Sequence, residues 1–356
     1  MAKTLGFGIL GAGLVAPFHA NAIKASRGGE FIAICDTNEE RLTKLTQEFG
    51  VEGYSDLDAM LNDDRIDVVN VCTPNHLHHD AVMKVAAAGR HCLVEKPPAM
   101  SLRETDEMIA ACQQAGVKFG CTVQCRMRKA IQAMKEAVDS GRFGKVLNAD
   151  TYMKWYRAAD YYHMDAWRSS RQSGAGVTIQ HAFHYIDLLQ HLMGPALRVE
   201  ARMSNLAHPD VQLEDTLLGI IDFRNEAQGV VQASTAMWPG LDLRVEITGT
   251  HGAAVMVGEH ITTWTFTQDK PEDEQIRHVG DASQATAATG PAAFGFQDHA
   301  MVIQDLIDAV AEGREVVIPV SSVRPTLELA LAMYHSAARD QKVELPIEDD
   351  PSIWNM

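Results

Sequence analysis

The sequence predicts an α/β protein in two parts: an N-terminal doubly wound parallel sheet, then an α/β domain with a large mixed, mainly antiparallel open sheet. Three observations carry that prediction. Up to residue 123, short apolar runs alternate with amphipathic helical stretches, a pattern that right-handed crossovers close into a parallel sheet. The first apolar run opens into a glycine turn, Gly11-Ala12-Gly13. Beyond residue 196 the chain changes to apolar–polar alternation punctuated by turn sequences, as antiparallel strands with one covered face require. The expected boundaries are 1–123 and 124–345, with a tail at 346–356.

The first strand is residues 5–10, and Gly11-Ala12-Gly13-Leu14-Val15-Ala16 turns it into a helix running to about Ala25. This is the Gly-x-Gly-x-x-Ala form of a dinucleotide loop. The first glycine permits the tight turn, the second lets backbone approach a pyrophosphate, and the small third residue lets helix pack on strand. The helix N-terminus adds amide donors and partial positive charge for the phosphates. A second strand, Phe31–Cys35, ends in Asp36. An acid there accepts both ribose hydroxyls and repels a 2′-phosphate, which favours NAD over NADP. The same aspartate would also serve as a plain N-cap for a helix over Asn38–Phe49.

A short strand or turn near Gly53-Tyr54 and a helix over Ser55–Leu61 lead to the buried strand Val68–Cys72, which opens into Thr73-Pro74-Asn75-His76-Leu77-His78-His79-Asp80. These histidines stand too close together to converge on one ion, and no distant ligand set with zinc spacing accompanies them. They are expected to begin a helix over Leu77–Ala88, capped by Asn75, with His78 near the cofactor. Cys92-Leu93-Val94 reads as the end of another buried strand, followed by Glu95-Lys96-Pro97-Pro98. A lysine at the carboxyl end of a parallel strand sits where open α/β sheets bind ligands, and partial burial aims its ammonium into a cleft. Taken alone, the tripeptide fits an exposed loop lysine equally well. Ser101 with Glu104 makes a capping box for a helix over Leu102–Ala115, Gly116 ends it, and Val117–Val123 is the last strand of the repeat.

After Gln124-Cys125-Arg126 the pattern changes. A helix over Lys129–Ser140 precedes a long strand, Val146–Trp155, and the later runs Val199–Leu206, Leu217–Phe223, Gly229–Ser234, Leu243–Gly249, Ala253–Val257 and Ile261–Phe266 read as strands. Residues 224–229 and 250–252 look like hairpin turns. Residues 269–294 read as a mobile surface loop, and helices over Asp298–Glu312 and Val323–Asp340 finish the chain.

Two stretches concentrate chemistry. Tyr152 to Arg171 holds Lys154, Trp155, Tyr156, Arg157, Tyr161, Tyr162, His163, Trp167 and Arg168 in an otherwise acidic protein. Aromatic faces stack on sugar rings or nicotinamide and arginines clamp anions, although an oligomer interface favours the same residues. Then Ser173-Gly174-Ala175-Gly176 leads a helix over 177–193, where Gln180, His184 and Asp187 share one face and His181 sits beside them. His181, His184 and Asp187 lack the third-ligand pattern of helical zinc sites, so no metal is expected.

The net charge is −16, which excludes nucleic acid and anionic membrane as general partners. No apolar stretch is long enough to span a bilayer, and the N-terminus enters the first strand directly, so a cytoplasmic protein is expected. The six cysteines form no Cys-x-x-Cys pair and read as small buried hydrophobes.

Over nearly its whole length the chain resembles the Gfo/Idh/MocA family of pyridine-nucleotide oxidoreductases. The resemblance rests on the Gly11–Ala16 loop, Cys72-Thr73-Pro74-Asn75 with His78, Glu95-Lys96-Pro97, Gln124-x-Arg126, Trp167-Arg168 and the glycine-led helix with His184. It implies a Rossmann domain joined to an open-sheet α/β domain that mediates homodimers or homotetramers. It also implies a dehydrogenase acting on sugars, cyclitols or their derivatives. Lys96 and His184 are then the catalytic pair. Gln180, His181, Tyr156, Arg157 and Arg126 would bind substrate. The cofactor would meet Gly11, Ala12, Gly13, Leu14, Val15, Asp36, Thr37, Cys72, Thr73, Pro74, Asn75, His78, Glu95, Lys96, Gln124, Trp167 and Arg168. Two positions depart from the family pattern: Gln180 stands where an aspartate is frequent, and Ala175 interrupts the usual triple glycine. The rival readings are a non-catalytic NAD-binding sensor or scaffold, and a metal-dependent isomerase or lyase using His76, His78, His181 and His184.

Overall fold

A computed structural model describes residues 3–280, 288, 290 and 295–355, and the chain divides into two compact units. Unit 1 comprises Met1–Gln124 with Gly295–Arg324; unit 2 comprises Cys125–Phe294 with Pro325–Met356.

Unit 1 is a six-stranded parallel sheet. Its strands are β1 (Leu5–Leu10), β2 (Gly29–Cys35), β3 (Glu52–Tyr54), β4 (Val68–Val71), β5 (His91–Glu95) and β6 (Phe119–Thr122), in the spatial order β3-β2-β1-β4-β5-β6. The crossovers are α1 (Ala16–Ala25), α2 (Glu39–Phe49), α3 (Leu57–Leu61), α4 (His78–Ala87) and α5 (Leu102–Ala115). Every residue of β1, β4 and β6 is buried, as a sheet covered on both faces requires. The chain order reverses between β1 and β4, the switch point where ligands bind in such sheets. The capping box forms: Ser101 accepts from the Glu104 amide at 3.2 Å, and the Glu104 carboxylate reaches back to the Met100 amide at 3.1 Å.

The linear division into domains needs one correction. The helix Gln297–Glu312, expected in the second domain, belongs to unit 1. Its residue His299 stacks against Phe18 of α1 with ring centroids 6.1 Å apart, and Gln304 accepts from the Arg27 amide at 2.8 Å. An apolar stripe carries no address, so sequence position alone did not reveal which sheet the helix covers.

Unit 2 is an eight-stranded sheet of β7 (Val146–Lys154), β8 (Ala196–Ser204), β9 (Thr216–Phe223), β10 (Gln228–Ser234), β11 (Arg244–Gly249), β12 (Gly252–Val257), β13 (His260–Phe266) and β14 (Val343–Glu344). The order is β13-β12-β11-β7-β10-β9-β8-β14. The β7–β10 pairing is parallel and the other pairings are antiparallel. Burial alternates along β9, with Leu217, Gly219 and Ile221 buried and Leu218 and Ile220 exposed. Among the helices of this unit are α6 (Lys129–Asp139), α7 (Ala159–His163), α8 (Phe183–Met193) and α9 (Asp273–Ile276). The helix Gln297–Glu312 is α10, and α11 (Val320–Arg339) carries Pro325 inside it, where the two units divide.

The surface loop expected over 269–294 is not wholly a loop. Asp273 opens α9 at zero exposure, accepts both guanidinium nitrogens of Arg142 at 2.5 and 2.7 Å, and takes the Trp264 indole N–H at 2.7 Å. Residues 281–287, 289 and 291–294 of that stretch lie outside the described residues. The tail docks through Trp354, whose ring meets Tyr334 at 5.3 Å. All six cysteines are free and buried.

Candidate active site

In unit 1 the site begins where β1 ends. Gly11 has φ +104°, and a Cβ there would lie 2.7 Å from the Cys72 carbonyl oxygen, so both conformation and space demand glycine. A Cβ at Gly13 would meet nothing within 4 Å, which leaves open space over the loop at the head of α1. Asp36 ties this loop to the end of β2: one carboxylate oxygen accepts the Ala12 amide at 2.6 Å and the other the Asn38 amide at 2.7 Å. It is not the cap of α2; Asn38 is, accepting from the Arg41 amide at 3.0 Å. Thr37 beside it is exposed. Two buried polar atoms, Thr73 Oγ1 and Gln124 Oε1, have no hydrogen-bond partner among the described residues. Both belong to residues expected at the cofactor. Open space above a glycine loop, an acid at the β2 terminus and unsatisfied buried acceptors fit a dinucleotide.

Lys96 follows β5 half-buried, while the Glu95 carboxylate turns inward. His19 Nε2 lies 2.8 Å from Glu95 Oε1, and His299 Nε2 lies 3.9 Å from the same oxygen. Asn70 Nδ2 approaches His19 Nδ1 at 3.0 Å, which leaves Nε2 as the nitrogen that donates to Glu95. Burial pushes the Glu95 carboxyl up, but the hydrogen bond from His19, with His299 and Lys96 behind it, outweighs burial and pulls its pKa to about 2. The ligating atoms of His19, Glu95 and His299 lie within 4.8 Å of one another. The 2.8 Å His19–Glu95 separation, however, is a hydrogen-bond length, shorter than the ~3.3 Å between tetrahedral ligands at zinc distances. As they stand, these two groups are a hydrogen-bonded pair. Glu95, expected at the cofactor, has its carboxylate bound to its own unit's interior.

His78, also expected near the cofactor, is turned inward as well. It has zero exposure, with Nδ1 2.8 Å from the Pro97 carbonyl and Nε2 3.0 Å from the Thr73 carbonyl. It braces two strand-end loops to each other. Burial lowers its pKa, and the two carbonyls only partly offset that. Nor does Asn75 cap the following helix, which starts after a 3₁₀ turn at Asn75–Leu77 with Leu77 at the N-cap.

In unit 2 the glycine-led helix is not continuous. Val177–His181 forms a π-helical turn and α8 starts at Phe183. The Ala182 amide reaches the Val177 carbonyl at 2.7 Å, the i→i+5 bond of such a turn. Between Val177 and Gln190, Gln180 and His184 keep partial exposure and every other residue is buried. Asp187, expected on their face, lies inside instead, holding Arg126 through two bonds at 2.7 and 2.5 Å and accepting the Thr326 hydroxyl at 2.8 Å. Arg126, expected to contact substrate, thus belongs to a buried ion pair. His181 also turns inward, 5.3 Å from the Tyr161 ring.

Tyr161 is the hub of the aromatic and cationic stretch. Its hydroxyl accepts from Arg168 Nη1 at 2.8 Å, and the Arg168 and Arg157 guanidinium carbons lie 4.9 and 5.8 Å from its ring. Arg157 sits 5.0 Å over Trp155 and donates to the Tyr156 carbonyl at 2.8 Å. Burial lowers its pKa. Trp167 packs 4.6 Å from Arg168. The predicted residues Arg157, Trp167, Arg168 and His181 therefore come together, with Tyr156 half-buried beside them.

Three partners escaped the reading of the chain: His19 and His299 behind Glu95, and Glu214 at the head of the π turn. The local signal for Glu214 was the place of the acidic pair Glu214-Asp215 directly before an apolar strand.

A family model described as an oxidoreductase family with an NAD-binding Rossmann fold matches residues 5–123, and a GFO/IDH/MocA C-terminal domain model matches residues 131–255. Among relatives, the 1,5-anhydro-D-fructose reductase of Ensifer adhaerens is 29% identical over 265 residues, covering 72% of this chain and 76% of that protein. The myo-inositol 2-dehydrogenase of Thermotoga maritima is 28% identical over 279 residues, covering 76% and 80%. Among solved structures, the WlbA dehydrogenase of Bordetella pertussis in complex with NADH and UDP-GlcNAcA has a TM-score of 0.86 at 28% identity, covering 97% of this chain and 100% of that one.

Proposed function

The chain belongs to the GFO/IDH/MocA oxidoreductase family, and from that premise we propose that it oxidises a secondary alcohol of a sugar, cyclitol or sugar derivative with NAD. The observation that carries the reading is the contrast on the glycine-led helix. Its residues are buried from Val177 to Gln190 except Gln180 and His184, two polar side chains kept accessible on an otherwise packed element. Relatives named as reductases and dehydrogenases of anhydro-sugars and inositol support the substrate class.

NAD, when bound, supplies the hydride acceptor. Gly11 and Gly13 would let the backbone approach its pyrophosphate, and Asp36 would take the ribose hydroxyls. Thr73 and Gln124 would satisfy their buried oxygens on it. His184 accepts the hydroxyl proton of the substrate as general base. Lys96 donates to the same oxygen, orienting it and stabilising alkoxide charge as it develops. Gln180 hydrogen-bonds a neighbouring hydroxyl; being neutral, it orients without relaying a proton. Tyr156 and the Arg157–Tyr161–Arg168 cluster line the substrate or nicotinamide end. The working assembly is a homodimer or homotetramer joined through the open face of the unit 2 sheet, where Leu218 and Ile220 stand 47% and 56% exposed. No helix among the described residues is long and apolar enough to cross a membrane.

The test is NADH formation with a panel of inositols, hexoses, uronic acids and nucleotide sugars. Removing a general base lowers rate by about 10²–10⁴-fold, so His184→Ala should lose turnover by that factor with NAD affinity near normal. Lys96→Met should do the same. Wild-type rates in either variant would end the role assignment.

A further inference from the structure

We infer that Glu214 is a positioning residue that sets the helical turn carrying Gln180 and His184. The inference rests on the proposed function for the importance of those two side chains, and on independent geometry for the anchor itself. Glu214 is 3% exposed and stands two residues before β9. Its backbone carbonyl accepts the Val177 amide at 2.9 Å, and its carboxylate Oε1 accepts the next amide, Thr178, at 3.1 Å. These are the first two donors of the π turn, the ones a helix start leaves without partners of its own. No residue on the turn's own N-terminal side supplies a side-chain cap. A carboxylate from the segment leading into β9 does so instead.

The anchor is itself fixed from three directions. Tyr334 on α11 donates its hydroxyl to the same Oε1 at 2.6 Å, and Arg171 Nη2 stands 3.4 Å from Oε2. Asp215, the next residue, holds the preceding loop by accepting the Leu206 and Ala207 amides at 3.0 and 2.8 Å and His208 Nδ1 at 2.9 Å. On the helix side, Gly176 has φ +120°, and a Cβ there would lie 2.4 Å from the Glu214 carboxylate. The glycine that leads the helix is therefore needed to admit this acid. Ala175, the departure from triple glycine, is 1% exposed and leaves that contact intact. A carboxylate bonded at the head of a turn fixes where the residues one turn later point, and these are Gln180 and then His184.

The experiment uses the full chain and two readouts. Hydrogen exchange of the 176–187 backbone reports the anchor whether or not a substrate is known. Steady-state kinetics reports its consequence. In Glu214→Ala, exchange at Val177 and Thr178 should accelerate at least tenfold. Because a displacement of about 1 Å costs on the order of 100-fold in rate, kcat should fall by about that much with NADH affinity unchanged. Glu214→Gln keeps an oxygen acceptor in place and should recover most of both. Unchanged exchange in a folded Glu214→Ala variant overturns the inference, as does a Gln variant no better than Ala. Should the Ala variant fail to fold, Tyr334→Phe takes its place: faster exchange at 177–178 upholds the anchor, and unaltered exchange overturns it. Altered exchange in a protein that turns over no alcohol would count against the proposed reaction and leave the anchor standing.

Discussion

The Arg126–Asp187 pair makes a prediction whose size follows from its surroundings. The two side chains are 6% and 1% exposed, joined by two nearly parallel bonds, with the Thr326 hydroxyl on the same carboxylate. An exposed pair of this kind contributes ~0–1 kcal/mol. Here Arg126→Met would leave a carboxylate in the core with one neutral donor, and stranding one member of a buried pair costs about 3–5 kcal/mol. For a cooperative unit of about 200 residues, each kcal/mol moves Tm by roughly 2–4 °C, which gives a fall of about 6–20 °C. Asp187→Leu should cost a similar amount by stranding the guanidinium. The double variant Arg126→Met with Asp187→Leu removes both charges and should recover at least half of the summed loss. Thermal and urea unfolding of the three proteins measure this directly. Single variants losing under ~1 kcal/mol, or a double variant losing the full sum, would refute the burial argument. Kinetics on the double variant separates two roles for Arg126. Near-normal KM for the sugar means the arginine serves the helix, whereas a KM raised many-fold would restore it to the substrate.

Three further outcomes follow from the same reasoning. Asp36→Ala removes a charged acceptor, a loss of about 10–100-fold in NADH affinity, while NADPH, freed of repulsion at its 2′-phosphate, should lose far less; fluorescence titrations giving equal losses would sink the ribose assignment. Glu95 has its pKa depressed from 4.5 to about 2, so its contribution, about 3 kcal/mol, is present above pH 4.5 and fades as pH falls towards 2. The stability gap between wild type and Glu95→Gln in urea should therefore narrow between pH 5 and pH 3, and a gap independent of pH would contradict the His19 bond. Replacing both Leu218 and Ile220 by Arg should convert the assembly to monomers in light scattering; an unchanged mass would show that the sheet face is not the interface.

Local chemistry wrote much of this protein plainly. A glycine loop after an apolar strand, an acid at the end of the next strand and a lysine after a third need only near neighbours to be recognised. Their positions in the parallel sheet came out as read. Strand alternation likewise marked the mixed sheet, because a pleat sends successive side chains to opposite faces whatever the rest of the chain does. The glycine-led helix was legible as an element, and Gln180 and His184 stood out on it.

Long-range partners decided the rest. His78, Glu95 and Arg126 carry the residue types of ligand contacts, yet each is bound to its own unit's interior by groups 5 to 204 residues away in sequence: the Thr73 and Pro97 carbonyls, His19 and His299, and Asp187. Helical periodicity predicted Asp187 beside His184, but Asp187 is drawn inside by Arg126 and Thr326 from distant segments, while His184 keeps partial exposure. A sequence records which side chains are polar and how they repeat. Which of them face solvent, and which satisfy a buried charge, depends on desolvation and pairing, and these exist only once distant segments have packed.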